Sequence, residues 1–281
     1  MDYLETAKRA AFHLGRNPLA SLGLLIISAL LAVALFAPLI APYDPVEINP
    51  SERLRPPSQA HLFGTDSAGR DIFSRVVFGT RISIRLGLLV IFLSALIGIV
   101  LGGGGAYLGG GIEEFLMRFT DMSMAFPPFV LAMAITATLG TGLTNVMVAI
   151  SAIWWTVYAR LIRSEVLAVK EEEYIEAGRA LGASDLRILF RHILPNSFAP
   201  VLVQASMDFG FVIMMGAALG FIGLGAQPPS PEWGATISAG RSYLRTAWWY
   251  PTFPGLAIFV VVLGANLLGD GLRDILDVKL D

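Results

Sequence analysis

Few residues in this sequence could carry covalent chemistry. His13, His61 and His192 lie far apart and there is no cysteine, so neither a metal-ligand cluster nor a disulfide is expected. Nucleotide hydrolysis would need a glycine-rich loop running into Lys-Ser or Lys-Thr. The three lysines, Lys8, Lys170 and Lys279, sit behind Ala7, Val169 and Val278, and none completes such a loop. No His/Cys/Asp/Glu constellation could run an embedded enzyme. Two features remain. Asp208, in "QASMDFGF", lies some ten residues into an apolar stretch, where a charge costs about 2.5–3.5 kcal/mol and needs a partner or a wet lumen. A bond to a neighbouring helix and a substrate contact are both open for it. The second feature is "EEEYIEAGRALGASDLRILFRHILPNS", residues 171–197, whose Glu171, Glu172, Glu173, Glu176, Arg179, Asp185, Arg187 and Arg191 stand between two strongly apolar stretches.

The faces of that segment suggest docking rather than catalysis. Tyr174, Ala177, Gly178 and Leu181 recur at i, i+3, i+4 and i+7, one side of a short helix with a small-residue centre. Gly182 can end that helix through positive φ. Ser184 can cap a second one, with Asp185 in its first turn favoured by the macrodipole. Leu186, Leu189, Phe190 and Ile193 repeat the apolar spacing, and Pro195 is expected to stop the helix. The result is a helix-turn-helix hairpin, with Glu176 and Arg179 beside the small face. It is long for a connection between packed helices, and Ala177-Gly178 leaves room for a partner's surface.

The elements that must position these residues are membrane spans. Hydrophobic residues make up 55% of the 281 and charged ones 15%, with mean hydropathy +0.66, away from a soluble globule. Runs 17–43, 86–112, 122–159 and 246–269 hold no charge, and about 20 apolar residues cross a bilayer. Six spans fit: 19–41, 86–108, 117–139, 143–163, 198–224 and 251–270. The third and fourth are divided at Leu139-Gly140-Thr141-Gly142, and Pro127-Pro128 must disturb the third. The first, longer than a cleavable signal core, is expected as a retained anchor. The chain then divides into 1–79, the anchor with its outer loop, and 80–281, a core of five spans carrying the loop of residues 171–197.

An even number of spans puts both termini on one side. Twelve Lys and Arg fall there or in the loops of that side against eight opposite, so both termini are expected in the cytoplasm. Residues 42–85 form the long outer loop, proline-rich at first. From Asp71, Ile72, Phe73, Val76 and Val77 share one face, the pattern of a helix lying in the interface plane or of an ordinary surface helix. Trp233, Trp248, Trp249 and Tyr250 are expected in an interfacial belt rather than a ligand site. Gly98 and Gly102 form a small-xxx-small pair suited to helix packing. A net charge of −2 argues against nucleic acid as a partner.

"EAGRALGASDLRILFRHILP" resembles the EAA loop of binding-protein-dependent ABC importer permeases. There a Glu-Ala-Ala triplet, a glycine four residues after its last Ala and a later Ile-x-Leu-Pro form the coupling helices that dock into ATPase subunits. Glu176, Ala177 and Gly178 take the triplet, Gly182 the glycine, and Leu194 and Pro195 the ending. Gly178 replaces the last Ala and His192 the Ile. "HLFGTDSAGRDIFSRVVFGTRISI", "GAQPPSPEWGATISAGRSYL" and "NLLGDGLRDILD" resemble the second permease subunit of the dipeptide, oligopeptide and nickel importers.

The resemblance implies an all-α polytopic permease of the type I importer fold, lodged in the cytoplasmic membrane. Its partners would be a second permease, two ABC ATPases and an extracytoplasmic solute-binding protein. ATP and Mg would be bound by the ATPases, and no cofactor by this chain. Tyr174, Glu176, Ala177, Gly178, Arg179, Leu181, Gly182, Ser184 and Asp185 are the expected coupling residues, and Asp208, Pro127 and Pro128 the expected translocation path. Di- or oligopeptides are the expected substrates, with nickel or another small solute as the alternative. An ion-coupled secondary transporter is the competing class, and it would call for paired broken helices in the two halves, which the sequence lacks.

Overall fold

The computed structural model describes residues 17–277, and those residues are nearly all helical, with one isolated β-bridge between Thr65 and Asp71. Five helices are long and apolar enough to cross a membrane: α1 (Pro18–Ile40), α2 (Ile72–Leu108), α5 (Leu143–Lys170), α8 (Phe198–Ile222) and α10 (Trp249–Asp277). Between α2 and α5, α3 (Gly110–Met124) and α4 (Pro128–Leu139) form a pair bent by 91°, a sixth span if the two count as one. The bend falls where Pro127-Pro128 was expected to disturb the helix. Pro128 opens α4, a position at which its missing N–H costs nothing. Gly140 (φ +94°) and Gly142 (φ +142°) then turn the chain into α5, as the glycine pattern suggests.

α1 begins at Asn17, whose side-chain oxygen accepts from the N–H groups of Leu19 and Ala20 at 3.1 and 3.2 Å. Its Nδ2 donates to Asp274 of α10 at 3.2 Å, so the start of the first span and the end of the last adjoin. The α1–α10 seam is lined with small residues: Gly23 lies against the Leu267–Leu268 backbone, Gly264 against Ile26 and Gly271 against Ala20. Pro38 deprives the Ala34 carbonyl of its intrahelical donor. Arg81 of α2 supplies one, its Nε bonding Ala34 and its Nη2 bonding Leu35 at 2.8 Å.

The interface-plane helix expected near residues 72–85 is instead the first part of α2. Asp71 caps it, Oδ2 accepting from Ser74 N at 2.7 Å, and the helix continues unbroken to Gly98. Its seemingly interfacial side faces protein. Arg75, only 4% exposed, donates to the carbonyls of Pro45 (2.8 Å), Pro229 (3.2 Å) and Ser230 (3.1 Å), and its Nε lies 3.7 Å from buried Asp66. The aromatic belt needs the same correction. Trp233, Trp249 and Tyr250 are buried, Trp233 donating to Val76 O at 3.0 Å and Trp249 to Thr65 O at 3.2 Å; of the four, Trp248 alone is exposed. The indole N–H groups of Trp233 and Trp249 are satisfied by distant backbone, so the buried rings close a packed cap, with α9 (Trp233–Gly240) wedged against α8 and α10.

Two apolar clusters organise the remainder. Leu86 and Val90 of α2, Ala132 of α4, Val146, Ile150 and Ile153 of α5, and Val212 and Leu219 of α8 form the central one. A second lies at the opposite end from the cap, around the segment of residues 171–197. Gly98 and Gly102 hold α2 against α5 between the two. A Cβ at either position would overlap the Tyr158–Ala159 region of α5, which confirms their packing role.

Candidate functional site

Residues 171–197 fold as the hairpin that their spacing predicts. α6 (Glu173–Ala180) has Glu173 and Glu176 in its first turn and Arg179 in its last, the charge order its dipole favours. It ends in a double-bonded glycine turn: Gly182, at φ +80°, donates to Arg179 O at 2.9 Å, and Ala183 N donates to Gly178 O at 3.1 Å. α7, residues 185–196, follows as Asp185–Ile188, a π turn Leu189–Ile193 and Leu194–Asn196. Ser184 occupies the cap position of α7, but its side chain makes no cap bond there. Pro195 does not stop α7; the break comes at Ser197, two residues later.

The hairpin has an inner and an outer side. Ile175 of α6 and Ile188 and Ile193 of α7 are buried with Ala106 of α2, Ile162 and Val166 of α5, and Val201 of α8. That socket roots the hairpin in three spans at once. On the outer side Tyr174 is 46% exposed, Leu181 89%, Leu186 69% and Phe190 65%, with Ala177 exposed beside them. A Cβ built on Gly178 or Gly182 meets nothing within 4 Å. The expected face of α6 is therefore outward and open. The expected face of α7 (Leu186, Leu189, Phe190 and Ile193) splits across the π turn: Ile193 turns inward beside Ile188, Leu189 is half-buried, and Leu186 and Phe190 point outward.

Polar bonds brace the hairpin. Asn196 Nδ2 donates to the Tyr174 hydroxyl at 3.2 Å, joining the base of α7 to the start of α6. The Tyr107 hydroxyl, near the end of α2, donates to Asp185 Oδ1 at 2.7 Å, and Lys170 Nζ donates to Tyr107 O at 3.2 Å. Ile175, Ile188, Tyr107 and Lys170 are the members that sequence reasoning missed. Ile175 and Ile188 are single apolar residues off the repeating stripes, so spacing within each helix does not mark them as buried, and Tyr107 is 78 residues from Asp185.

Asp208 lies elsewhere, 6% exposed on α8, with Gln204 Nε2 donating to Oδ1 at 2.9 Å and Trp154 and Tyr158 of α5 beside it. Its Oδ2, the Trp154 Nε1 and the Tyr158 hydroxyl are buried without a hydrogen-bond partner. Pro127 and Pro128 are exposed at the α3–α4 bend, and none of the described partners of Asp208 comes from that bend. The structure thus brings together the residues expected for coupling and keeps the three residues expected for a path in two separate places. α3 adds charges that sequence reasoning assigned only to a flank. Glu113 pairs with Arg163 at 2.6 Å and Asp121 with Arg160 at 2.7 Å, both across to α5, beside a cleft of about 410 Å³ lined also by Gly110, Glu114, Met117 and Arg118.

Residues 94–281, which include the whole hairpin, match the family described as the binding-protein-dependent transport system inner membrane component. The chain belongs to this family. Residues 7–57 of the permease match the N-terminal transmembrane domain of oligopeptide transport permease C. Over 273 residues it is 47% identical to the dipeptide transport system permease protein of Alkalihalophilus pseudofirmus, covering 97% of this chain and 90% of that one. It is 46% identical over 257 residues to a glutathione transport system permease protein of Pectobacterium atrosepticum (91% and 85% covered). It is 44% identical over 264 residues to a di/tripeptide transport system permease protein of Pseudomonas aeruginosa (92% and 87%). Among solved structures, an inward-facing form of the MetNI methionine ABC transporter aligns at TM-score 0.51 and 18% identity, covering 68% of this chain and 94% of that one. The fold is that of type I ABC importer permeases, and the protein is a multi-pass inner-membrane subunit of such a transporter.

Proposed function

We propose that this permease forms one half of the membrane pathway of an ATP-driven importer of di- or oligopeptides, and that the hairpin of residues 171–197 is where a partner ATPase docks. The observation that carries this reading is the two-sided hairpin. Ile175, Ile188 and Ile193 root it in three spans, while the outer face keeps Tyr174, Leu181, Leu186 and Phe190 in the open. Charges interleave with those apolar groups, so lipid does not suit that surface and a protein partner does. Glu176, Ala177, Gly178, Arg179 and Gly182 shape it, and Ser184 and Asp185 start the second helix. The hairpin side is then cytoplasmic, with both termini on that side.

The chain binds no nucleotide of its own. ATP and Mg belong to two ATPase subunits, and a second permease and an extracytoplasmic solute-binding protein complete the assembly. A peptide substrate is supported by the named substrates of the relatives, which are dipeptides, di/tripeptides and glutathione, itself a tripeptide. Pro127 and Pro128 are assigned to the path because the bend is exposed beside the charged face of α3. Asp208, buried beside Trp154 and Tyr158 of α5, is assigned to the packing of α8 on α5 and not to touching substrate.

Co-purification tests the dock. Glu176→Lys or Leu181→Asp in the full complex should strip the ATPase subunits while leaving the permease pair intact. Wild-type recovery of the ATPases with both variants would sink the assignment. Substrate choice is read by measuring which solutes the solute-binding protein holds.

A further inference from the structure

Motion from a docked ATPase would reach the bundle most simply through the covalent ends of the hairpin, where α5 enters it and α8 leaves it. A third attachment exists. The Tyr107 hydroxyl donates to Asp185 Oδ1 at 2.7 Å, Arg179 of α6 stands beside the same hydroxyl, and Lys170 at the end of α5 lies 5.8 Å from the Tyr107 ring centre while bonding its carbonyl. One side chain near the end of α2 therefore touches both helices of the hairpin and the helix that feeds it. Asp185 sits in the first turn of α7, so its position reports any tilt of that helix.

The helix behind Tyr107 is built to move. Four residues before it lies the π turn Ile99–Gly103, an extra residue inserted in the helix that loosens its hydrogen-bond ladder. Gly98 and Gly102 pin the helix to Ala159 of α5 at that level. Just past Tyr107, Gly109 (φ +70°) and Gly110 (φ +61°) release the chain into α3, with open space around both. Tyr107 thus ends a short arm that pivots below a fixed seam and leads directly into the half-span α3, in which Thr120 is the one buried residue.

We propose that Tyr107 is a positioning residue that couples the hairpin to α2 and α3, giving the ATP-driven movement a third output. The inference rests on the reading of the hairpin as the ATPase dock. The Tyr107–Asp185 bond carries tilt of α7 into the end of α2, the π turn absorbs the change, and α3 shifts against its ion-pair partners on α5.

The test uses the full complex with its ATPases. The natural chain has no cysteine, so spin labels can be placed cleanly through Leu108→Cys on α2 and Leu139→Cys on α4, both exposed. In the native background, ATP with Mg should change the distance between them. Tyr107→Phe, which keeps the ring over Lys170, should shift the balance of the two distance populations by about tenfold toward the resting one, as loss of a hydrogen bond to a charged group implies. ATPase recovery and hydrolysis rate should stay within about twofold of the parent. Adding Asp185→Ala to Tyr107→Phe should produce no further loss beyond that of Asp185→Ala alone. An unchanged ATP-driven distance change in Tyr107→Phe would overturn the proposal, as would additive losses in the double variant. Loss of the ATPases from Tyr107→Phe would also overturn it, since the hydroxyl would then build the dock instead of transmitting from it. Failure of the dock itself is read separately, by ATPases retained on Leu181→Asp.

Discussion

The two ends of the molecule treat their side chains in opposite ways. At the loop end, polar groups are closed off by the chain itself: Arg75 reaches three backbone carbonyls, and His61 sits between Glu52 (3.0 Å) and Asp71 (2.9 Å). Glu232 accepts from Gly234 N and Ala235 N at 2.7 and 2.6 Å, and Trp233 is buried. At the hairpin end, large apolar side chains stand in the open next to charges. A leucine exposed on α1 is covered by lipid, but Leu181 and Leu186, among Glu171–Glu173, Arg187 and Arg191, are not. On the proposed docking, the difference separates an end finished within one chain from an end completed by another.

Substitutions should separate the ends by what they damage. The largest effect is expected at the cap: Arg75→Met leaves three carbonyls without their donor, though Asp66 keeps Arg70 at 2.6 Å, and should lower stability by about 3–5 kcal/mol, read as an earlier thermal transition in detergent. Next is a pH effect at Glu232, whose carboxyl is pushed up to about 7 by burial, against the opposing pull of the Ala235 and Gly234 N–H groups. Because the folded state holds that proton more tightly than the unfolded one, its stabilisation is complete below about pH 4.5. It is lost as pH rises through about 7, on the order of 3 kcal/mol in all. Thermal melts from pH 4 to 8 should show the decline, and Glu232→Gln should flatten it.

Smaller still is Gly182→Val, which strains the positive φ of the turn by about 1–2 kcal/mol without any clash and should act mainly on ATPase recovery. Least of all, Leu186→Ser should leave the melting transition within about 0.5 kcal/mol of the parent while weakening the complex. A hairpin substitution as destabilising as Arg75→Met would erase the contrast between the ends.

Much of the hairpin was legible in the sequence because its signals are local. Gly182 needs only its own φ, and the outward side of Tyr174, Ala177, Gly178 and Leu181 follows from spacing within two turns. The break at Pro127-Pro128 and the glycine turn before α5 are local for the same reason. The cap was misread because its decisive bonds are distant: Arg75 finds its carbonyls 154 and 155 residues away, and Trp233 finds Val76 across 157. Without those partners, an arginine and a tryptophan near a span look interfacial. The register of α7 was lost to a π turn, which no 3.6-residue spacing can anticipate and which parts Ile193 from Leu186 and Phe190.

The account rests on the outer face of the hairpin being free in the chain and covered in the complex. With no natural cysteine to confuse the reading, Leu181→Cys can be probed with a maleimide in membranes carrying the permease pair with and without its ATPase subunits. Rapid labelling of the pair alone and strong protection once the ATPases are bound is the predicted result. Equal labelling in both states would contradict it.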